Sequence, residues 1–588
     1  MARTRYRAEL GPIRLKNLPA GALRSVLREG YTRADLRSDV LAGIVVGIVA
    51  LPLAMALAIA VGVAPQHGLY TAIVAGIVVA ALGGSRVQVT GPTAAFIVIL
   101  APIYTRFGMA GLLIAGVMGG LILIAMGLGR LGQFIEFIPH PVTTGFTAGI
   151  AVVIATLQIK DVFGLRLTRS PETFFDRIAA MWQARSSASA AEVGIAVATM
   201  ALLLALPRVT KRVPAPLIAI PFVAVLAAAL NHFFPAHAVD TIASRFHATV
   251  GDHVIRGVPP LPPLPVLPWN MPGPNGRPLE LSFAVVRELL SGAFAIAMLG
   301  GIESLLSAVI ADAMAGTKHD PDAELLALGI GNVVTPFFGG IPATGAIART
   351  ATNIRAGARS PIASMVHALT VLVAVLALAP LIGYLPMAGL AALLLLVAWN
   401  MSEVKHFGHI LRVAPRSDAL VLITCFALTV VFDMVVAVSV GVVLAALLFM
   451  RRMAEITHAR LTGDGEGDHA AAGIPPELAN KVAIYDIAGP LFFGAAQKAM
   501  GSLAAIASRL KVLIIRLDRV PVMDATGLVA LESAIATLTK NGCVTVLAGP
   551  QRQPAVVIGR ARLTDRFRLV IRPDLPSALA TARELVST

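Results

Sequence analysis

The chain has 588 residues, of which 57% are hydrophobic and only 14% are charged, and its mean hydropathy is +0.80. Soluble globular proteins carry far more charge than this, so water is excluded as the main solvent. The formal net charge of +15 would suit nucleic acid as a partner, but the basic residues flank apolar segments, which is typical of membrane topology. The two cysteines are too few for a disulfide framework, and no metal or other cofactor is expected.

The N-terminal segment, residues 1–38, is basic rather than apolar, so no cleavable signal sequence is evident. Apolar runs follow over residues 39–452, and most reach the roughly 20 residues that a helix needs to cross hydrocarbon. Their number predicts a membrane domain of about fourteen helical spans. By the positive-inside rule, both termini are expected on the cytoplasmic side.

A proline-rich stretch at residues 232–278 is predicted as an extracellular connection without helices, and it separates two sets of seven spans. In the third span of each set a Gly-, Pro- and Thr-containing cluster interrupts the apolar run: VTGPTAAF at Val89–Phe96 and GGIPATGAIART at Gly339–Thr350. Because seven is odd, the two repeats are predicted to be inverted. Broken helices at matching positions of inverted repeats indicate a transporter binding site. The predicted repeats cover about residues 39–232 and 286–452.

The two breaks predict an anion site made from helix ends. Pro92 suits the first turn of a half-helix with Thr90 as its cap, and Pro342 is expected to act likewise at the second break. Two helix N-termini that face each other across a dry cavity present unpaired N–H donors and partial positive charge. This arrangement binds anions. The alternative is that the Gly-Pro pairs only kink two packed helices.

Two charged residues accompany the breaks. Glu303 lies in the middle of a span, where an ionisable side chain is costly and by default functional. It is predicted either to carry a proton with the substrate or to satisfy backbone donors between packed helices. Arg349 lies about two helical turns beyond the second break. It either adds positive charge to the site or marks the cytoplasmic end of its span, and the sequence favours neither.

A separate C-terminal domain is predicted over residues 474–588, after a linker at residues 453–473. Short β-rich runs such as KVAIYDI and KVLIIRL alternate there with amphipathic helical patterns, which is typical of a small α/β domain.

Five stretches of the sequence together resemble the SulP (sulfate permease) family of anion transporters with a C-terminal STAS domain. The resemblance implies a core domain that carries the site and moves against a gate domain, with a small anion as substrate. It also implies uptake that is coupled to a cation or exchanged for another anion. We expect the cation to be a proton rather than sodium, and the protein to be a homodimer in the inner membrane of a bacterium. The stretches are GVAPQHGLYTAIVAG (Gly62–Gly76), FIPHPVTTGFTAG (Phe137–Gly149), GGIESLLSAVIAD (Gly300–Asp312), FFGGIPATGAIARTATNIRAGARSP (Phe337–Pro361) and PVMDATGL (Pro521–Leu528).

The resemblance assigns the substrate to the two half-helix ends and the coupling cation to Glu303. Leu53 lies where many relatives have Gln, and Ala348 where many have Ser, so two side-chain donors are missing. Within the family, stretches such as LLVAWNMSE (Leu395–Glu403) are similar to a bacterial dicarboxylic acid transporter. We therefore expect proton-coupled uptake of succinate or fumarate; the alternative is sulfate or bicarbonate transport or exchange, including sodium-coupled transport. The predicted substrate residues are Leu53, Thr90, Gly91, Pro92, Thr93, Ala94, Ala95, Phe96, Ala343, Thr344, Gly345, Ala346, Ile347, Ala348 and Arg349.

The predicted STAS domain contains the loop Asp524-Ala525-Thr526-Gly527. Related regulators are phosphorylated on a Ser where this loop has Ala525, so such a switch is not expected, although Thr526 leaves it open. A folding and dimerisation module is favoured. An enzyme is not expected, because no nucleophile with its base is apparent; a membrane-anchored signalling protein and a channel are the remaining alternatives.

Overall fold

The computed structural model describes residues 19–587 apart from 134–138, 168–172, 211–213, 251–252, 275, 281, 433, 463–473, 476–477, 479–480, 493–495, 497–498 and 501–509. The chain forms two compact units, Met1–Val442 and Val443–Thr588.

The first unit is almost entirely helical, with short strands at three places. Its helices are α1 (Gly21–Glu29), α2 (Arg33–Val61), α3 (Pro65–Leu82), α4 (Ala94–Leu128), α5 (His140–Val162), α6 (Phe174–Gln183), α7 (Ala190–Val209), α8 (Ala215–Phe233), α9 (Ile242–Arg245), α10 (Phe283–Ala315), α11 (Pro321–Val334), α12 (Ile347–Arg355), α13 (Pro361–Ile382), α14 (Met387–Ser402), α15 (Val404–Val413), α16 (Arg416–Val431) and α17 (Met434–Ile456), which continues into the second unit. Its strands are β1 (Thr90–Gly91), β2 (His247–Val250), β3 (His253–Arg256) and β4 (Thr344–Gly345).

Ten helices in the described part of the chain are long and apolar enough to cross a membrane. One of them, α4, is interrupted at Gly108, whose φ of 67° is not helical, so its 35 residues make two successive segments. The shorter helices α11, α12 and α16 fill the remaining places between long spans. The predicted order of about fourteen segments, with breaks in the third and the tenth, is confirmed.

The two halves repeat one another in their helix contacts. In the first half α2 and α3 pack on α13, and in the second half α10 and α11 pack on the part of α4 that follows Gly108. Gly43 of α2 lies against the backbone of Ala363 in α13. Correspondingly, Gly119 of α4 lies against the backbone of Ala293 in α10. This reciprocal pairing is what two structural repeats produce.

The packing also sorts the helices into two groups. Helices α2, α3, α4, α10, α11, α12 and α13 contact mainly one another, and α5, α7, α8, α14 and α16 form a second group. We call them the core group and the gate group. A cavity lies where the two groups meet.

Helices occur before the first apolar run: α1 lies within the basic segment 1–38, and α2 starts at Arg33 with a capping box formed by Thr32 and Asp35. The prediction that the proline-rich connection lacks helices is wrong. The proline-rich connection contains the hairpin of β2 and β3 and the single turn of α9. That turn forms because the Thr241 side chain caps it.

The second unit is a small α/β domain, as predicted. Five strands lie in the order β5-β6-β7-β8-β9, and β5 is antiparallel to β6 while the others are parallel. Its elements are β5 (His458–Thr462), β6 (Val482–Ala488), β7 (Val512–Arg519), α18 (Ala525–Lys540), β8 (Val544–Ala548), α19 (Arg552–Arg560), α20 (Leu563–Arg566), β9 (Leu569–Arg572) and α21 (Leu575–Ser587).

The predicted linker 453–473 needs correction. Helix α17 runs through Ile456 and β5 begins at His458, where it pairs along the edge of the sheet with β6. The domain therefore starts before residue 474; residues 463–473 lie outside the described part of the chain. In the loop singled out from the sequence, the Asp524 side chain accepts a hydrogen bond of 2.7 Å from the Gly527 N–H and caps α18.

Candidate functional site

The two breaks meet in the centre of the membrane unit. Strands β1 and β4 pair antiparallel, with Thr90 opposite Gly345 and Gly91 opposite Thr344. The Ala346 N–H donates to the Val89 carbonyl over 2.8 Å, which extends the pairing. The two short strands hold the starts of α4 and α12 side by side.

Both half-helices begin without a side-chain cap. The N-cap residue of α4 is Thr93 and that of α12 is Ala346, and neither side chain bonds the first turn. The first N–H groups of a helix have no partner within it. Each N-terminus therefore presents unpaired donors and partial positive charge.

The predicted caps are wrong in detail. Thr90 is a strand residue because its backbone pairs with Gly345, so α4 starts only at Ala94 and Pro92 precedes the helix. Pro342 lies farther still from the start of α12, and its ring packs towards Gly116.

Buried polar side chains outside the cavity wall form hydrogen bonds that fix the second break. The Asn332 amide donates to the Ala343 carbonyl and accepts from the Ala343 N–H, each over 2.8 Å, which imitates a strand neighbour. The Thr344 hydroxyl donates to the Gly300 carbonyl over 2.8 Å, and the Thr350 hydroxyl accepts from the Val89 N–H over 3.0 Å.

A buried polar cluster supports the first break. The Gln88 amide donates to the Ser304 hydroxyl over 2.7 Å and to the Glu324 carboxylate over 3.0 Å. Glu324, which is 1% exposed, also accepts from the Gly84 and Ser85 N–H groups. Its donors come from the segment that leads into β1, so this carboxylate fixes the approach to the break.

The cavity has a volume of about 280 Å³, and both half-helix starts open into it. Helices α2 and α10 of the core group and α5 and α14 of the gate group complete its wall. Most of the lining is apolar. The lining residues are Leu53, Leu57, Pro92, Thr93, Ala94, Ala95, Phe146, Thr147, Ile150, Leu299, Ile302, Glu303, Leu306, Ala346, Ile347, Ala348, Arg349, Val397, Asn400, Met401 and Glu403.

Arg349 is the one cationic side chain among these lining residues. It is 3% exposed. Its Nη2 donates to the Pro92 carbonyl of the opposite break, while Nε and Nη1 have no hydrogen-bond partner among the described residues. Buried donors without partners are costly, and an anion in the cavity would satisfy them.

Glu303 lies opposite, on α10. Its carboxylate accepts a hydrogen bond of 2.9 Å from the Thr93 hydroxyl at the start of α4. Glu303 and Arg349 form no ion pair within 4.0 Å, so both charges remain available to a third group.

The structure divides the predicted site residues into two sets. Leu53, Pro92, Thr93, Ala94, Ala95, Glu303 and Ala346 to Arg349 line the cavity. Thr90, Gly91, Phe96, Ala343, Thr344 and Gly345 lie behind it: four form the strand pair, Ala343 bonds to Asn332, and the Phe96 ring packs towards Gly300.

The gate group supplies a part of the wall that was not predicted from the sequence. Phe146, Thr147 and Ile150 come from α5, and Asn400, Met401 and Glu403 come from the end of α14. Both segments lie in or beside stretches that carried the family resemblance, which was the available signal.

A membrane domain built on paired broken helices around a central cavity, followed by a small α/β domain, is the architecture of a membrane transporter. Residues 36–425 match the profile of the Sulfate permease family, and residues 474–578 match the STAS domain profile. The chain therefore belongs to the sulfate permease family and carries a STAS domain.

Relatives support this assignment over most of the chain. "Putative sulfate transporter YvdB" of Bacillus subtilis (strain 168) is 39% identical over 510 residues, which cover 86% of this chain and 90% of the relative. The bicarbonate transporter BicA of Picosynechococcus sp. is 27% identical over 494 residues, which cover 80% and 81%.

Solved structures show the same fold. SLC26A9 aligns with a TM-score of 0.80 at 17% identity, covering 100% of this chain and 98% of that one. The transmembrane domain of a cyanobacterial BicA aligns with a TM-score of 0.58 at 26% identity, covering 70% and 98%. YvdB and BicA are both named as transporters, in agreement with the sequence prediction that the chain is not an enzyme.

Proposed function

We propose that this protein is a secondary active transporter that takes up four-carbon dicarboxylates together with protons. The observation that carries the proposal is the buried guanidinium of Arg349. The residue lines a cavity between uncapped helix ends, and two of its nitrogens have no hydrogen-bond partner among the described residues. Donors fixed in a place of low dielectric bind a carboxylate strongly.

The apolar wall supports an organic anion. Leu53 and Ala348, the two positions where many relatives have polar side chains, both line the cavity. The methylene groups of succinate gain from contact with such a surface, whereas sulfate would leave it unused.

Glu303 supports coupling to a proton. It hydrogen-bonds to the start of one half-helix and lines the same cavity as Arg349. If the carboxylate is protonated when the anion binds, its charge no longer opposes the substrate. An external proton gradient would then drive accumulation, and uptake would rise as the external pH falls.

The second candidate is transport of an inorganic anion. The names of the relatives favour it, because YvdB is named for sulfate and BicA for bicarbonate. The two candidates share one site and differ in what fills the apolar part of the cavity.

The test is uptake of labelled succinate, fumarate, sulfate and bicarbonate into proteoliposomes with an imposed proton or sodium gradient. We expect succinate or fumarate to accumulate with the proton gradient and sulfate to stay outside. Sulfate accumulation without competition by dicarboxylates would contradict the proposed substrate. A requirement for a sodium gradient would contradict the proton as the coupling ion. Saturable counterflow would exclude a channel.

We further propose that the protein lies in the cytoplasmic membrane of a bacterium with both termini inside, and that it is a homodimer. Protease protection in oriented vesicles and the mass of the detergent-solubilised protein test these points.

A further inference from the structure

Glu403 is a second carboxylate in the wall of the anion cavity, and nothing described so far gives it a role. It lines the cavity together with Asn400 and Met401 at the end of α14, so it belongs to the gate group and faces the site from the side opposite the half-helices. Its side chain is exposed, and its carboxylate has no hydrogen-bond or ion-pair partner among the described residues.

The backbone at Glu403 is unusual. Its φ of 41° and ψ of 42° are left-handed, at the junction where α14 ends and α15 begins. Gly, Asn and Asp adopt this conformation more readily than Glu does. The turn therefore does not require Glu. What Glu adds at this position is a carboxylate in the wall of the cavity.

The charges of the cavity wall are then unbalanced for a site that receives anions. The ionisable lining groups are Arg349, Glu303 and Glu403, one guanidinium against two carboxylates. Each negative charge of a substrate is attracted by Arg349 and repelled by Glu403. Because Glu403 is exposed, solvent screening limits its effect to about a fivefold change in affinity or less per charge. The repulsion doubles when the substrate carries two charges.

We infer that Glu403 is a specificity-determining residue that disfavours doubly charged anions relative to singly charged ones. This inference rests on the proposed anion site in the cavity. Glu403 lowers the affinity for a doubly charged anion, dicarboxylates included, below the affinity that the same cavity would have without this carboxylate.

The probes are two pairs of anions that differ in charge. Succinamate keeps the length of succinate but has one carboxylate and one amide, so at pH 8 it carries one charge where succinate carries two. Bicarbonate and sulfate form a corresponding inorganic pair. Each anion is tested as a competitor and as a labelled substrate in proteoliposomes made with the full chain.

The matched variants are Glu403→Asp and Glu403→Asn. Both side chains tolerate the left-handed backbone and have nearly the same size, so they differ in charge alone. We expect Glu403→Asp to keep the wild-type ratio of the two affinities in each pair. Glu403→Asn is expected to shift that ratio towards the doubly charged member by about threefold, mainly through tighter binding of succinate or sulfate.

Equal preference ratios in the two variants would overturn the inference, as would a shift in Glu403→Asn towards the singly charged member. If the protein carries bicarbonate or sulfate but neither succinate nor succinamate, the proposed dicarboxylate function fails, and the inorganic pair still decides the role of Glu403. If succinate is carried with equal ratios in both variants, the inference fails and the proposed function stands.

Discussion

The two breaks share a backbone design and differ in their side chains. Each consists of a two-residue strand followed by an uncapped half-helix. The first break contributes acceptors and a hydroxyl: the Pro92 carbonyl accepts from Arg349, and Thr93 donates to Glu303. The second break contributes the cation itself. Both repeats therefore contribute a helix N-terminus to the site, whereas only the second repeat contributes a cationic side chain, Arg349.

The largest expected effect is that of removing this single cation. Arg349→Ala is expected to lower the initial rate of uptake by at least about a hundredfold, because it removes the buried charge and its free donors. Arg349→Lys should recover only part of the rate, since an ammonium lacks the planar fork of the guanidinium. The melting temperature of Arg349→Ala checks that the variant is folded. A folded variant with the wild-type uptake rate would show that the helix ends alone bind the substrate.

Glu303→Gln tests whether the charge opposite Arg349 couples transport to protons. Gln keeps the shape of the side chain and imitates its protonated form. We expect counterflow of succinate to continue, because both half-helix ends are unchanged, while accumulation driven by a pH gradient is lost. The two measurements are made on one preparation. Accumulation that keeps its acid dependence would make Glu303 a structural residue and move coupling elsewhere.

A pair of glycine substitutions separates the two breaks. A Cβ on Gly91 would lie 2.5 Å from Arg349 Nη1, so Gly91→Ala should displace the guanidinium and lower the uptake rate by about tenfold. Displacement of a well-placed charged donor costs about 1.4 kcal/mol or more.

Gly345→Ala is its matched control in the opposite strand. There a Cβ would press on Gln88 Nε2 and lie 3.0 Å from Ser304 Cα, which disturbs the buried cluster rather than the cavity. We expect its melting temperature to fall by a few degrees and its substrate affinity to change less than that of Gly91→Ala. The opposite assignment of the two defects would contradict the placement of Arg349 beside Gly91 and of the buried Gln88 cluster beside Gly345.

The smallest effect on selectivity is expected from removing the STAS domain. Deletion of residues 457–588 removes β5 together with the rest of its sheet, so no strand edge is left exposed. The uptake rate or the amount of assembled protein should fall, and the order of substrate preference should be unchanged. A changed order would show that the cavity between the core and gate groups does not set selectivity alone.

The sequence predicted the spans and the breaks well because both depend on local properties. Apolar length determines a span, and Gly-Pro clusters interrupt a helix wherever they occur. Local rules failed at the start of α4, because the strand pair takes up Thr90 and delays the helix to Ala94. That pairing joins residues from different halves of the chain, and no window of sequence contains both.

The same reason explains the missing wall of the cavity. Phe146 lies within α5 and Glu403 lies at the junction of α14 and α15, and only the packing of the gate group shows that both line the cavity. Glu324 was passed over because it stands just outside an apolar run, where a carboxylate normally marks the end of a span. Its donors, the Gly84 and Ser85 N–H groups, lie some 240 residues away.

The hydrogen bond from the Val89 N–H to the Thr350 hydroxyl has a consequence for biogenesis. Its two partners are 261 residues apart along the chain. At about 5–20 residues per second of synthesis, Thr350 is synthesised roughly 13–50 seconds after Val89. During that interval the Val89 N–H lacks its final acceptor, so water or the insertion machinery must provide another hydrogen-bond partner. The interior of the carrier is thus completed late, and nascent chains that stop before the tenth segment should be recognised as unfinished by membrane quality control.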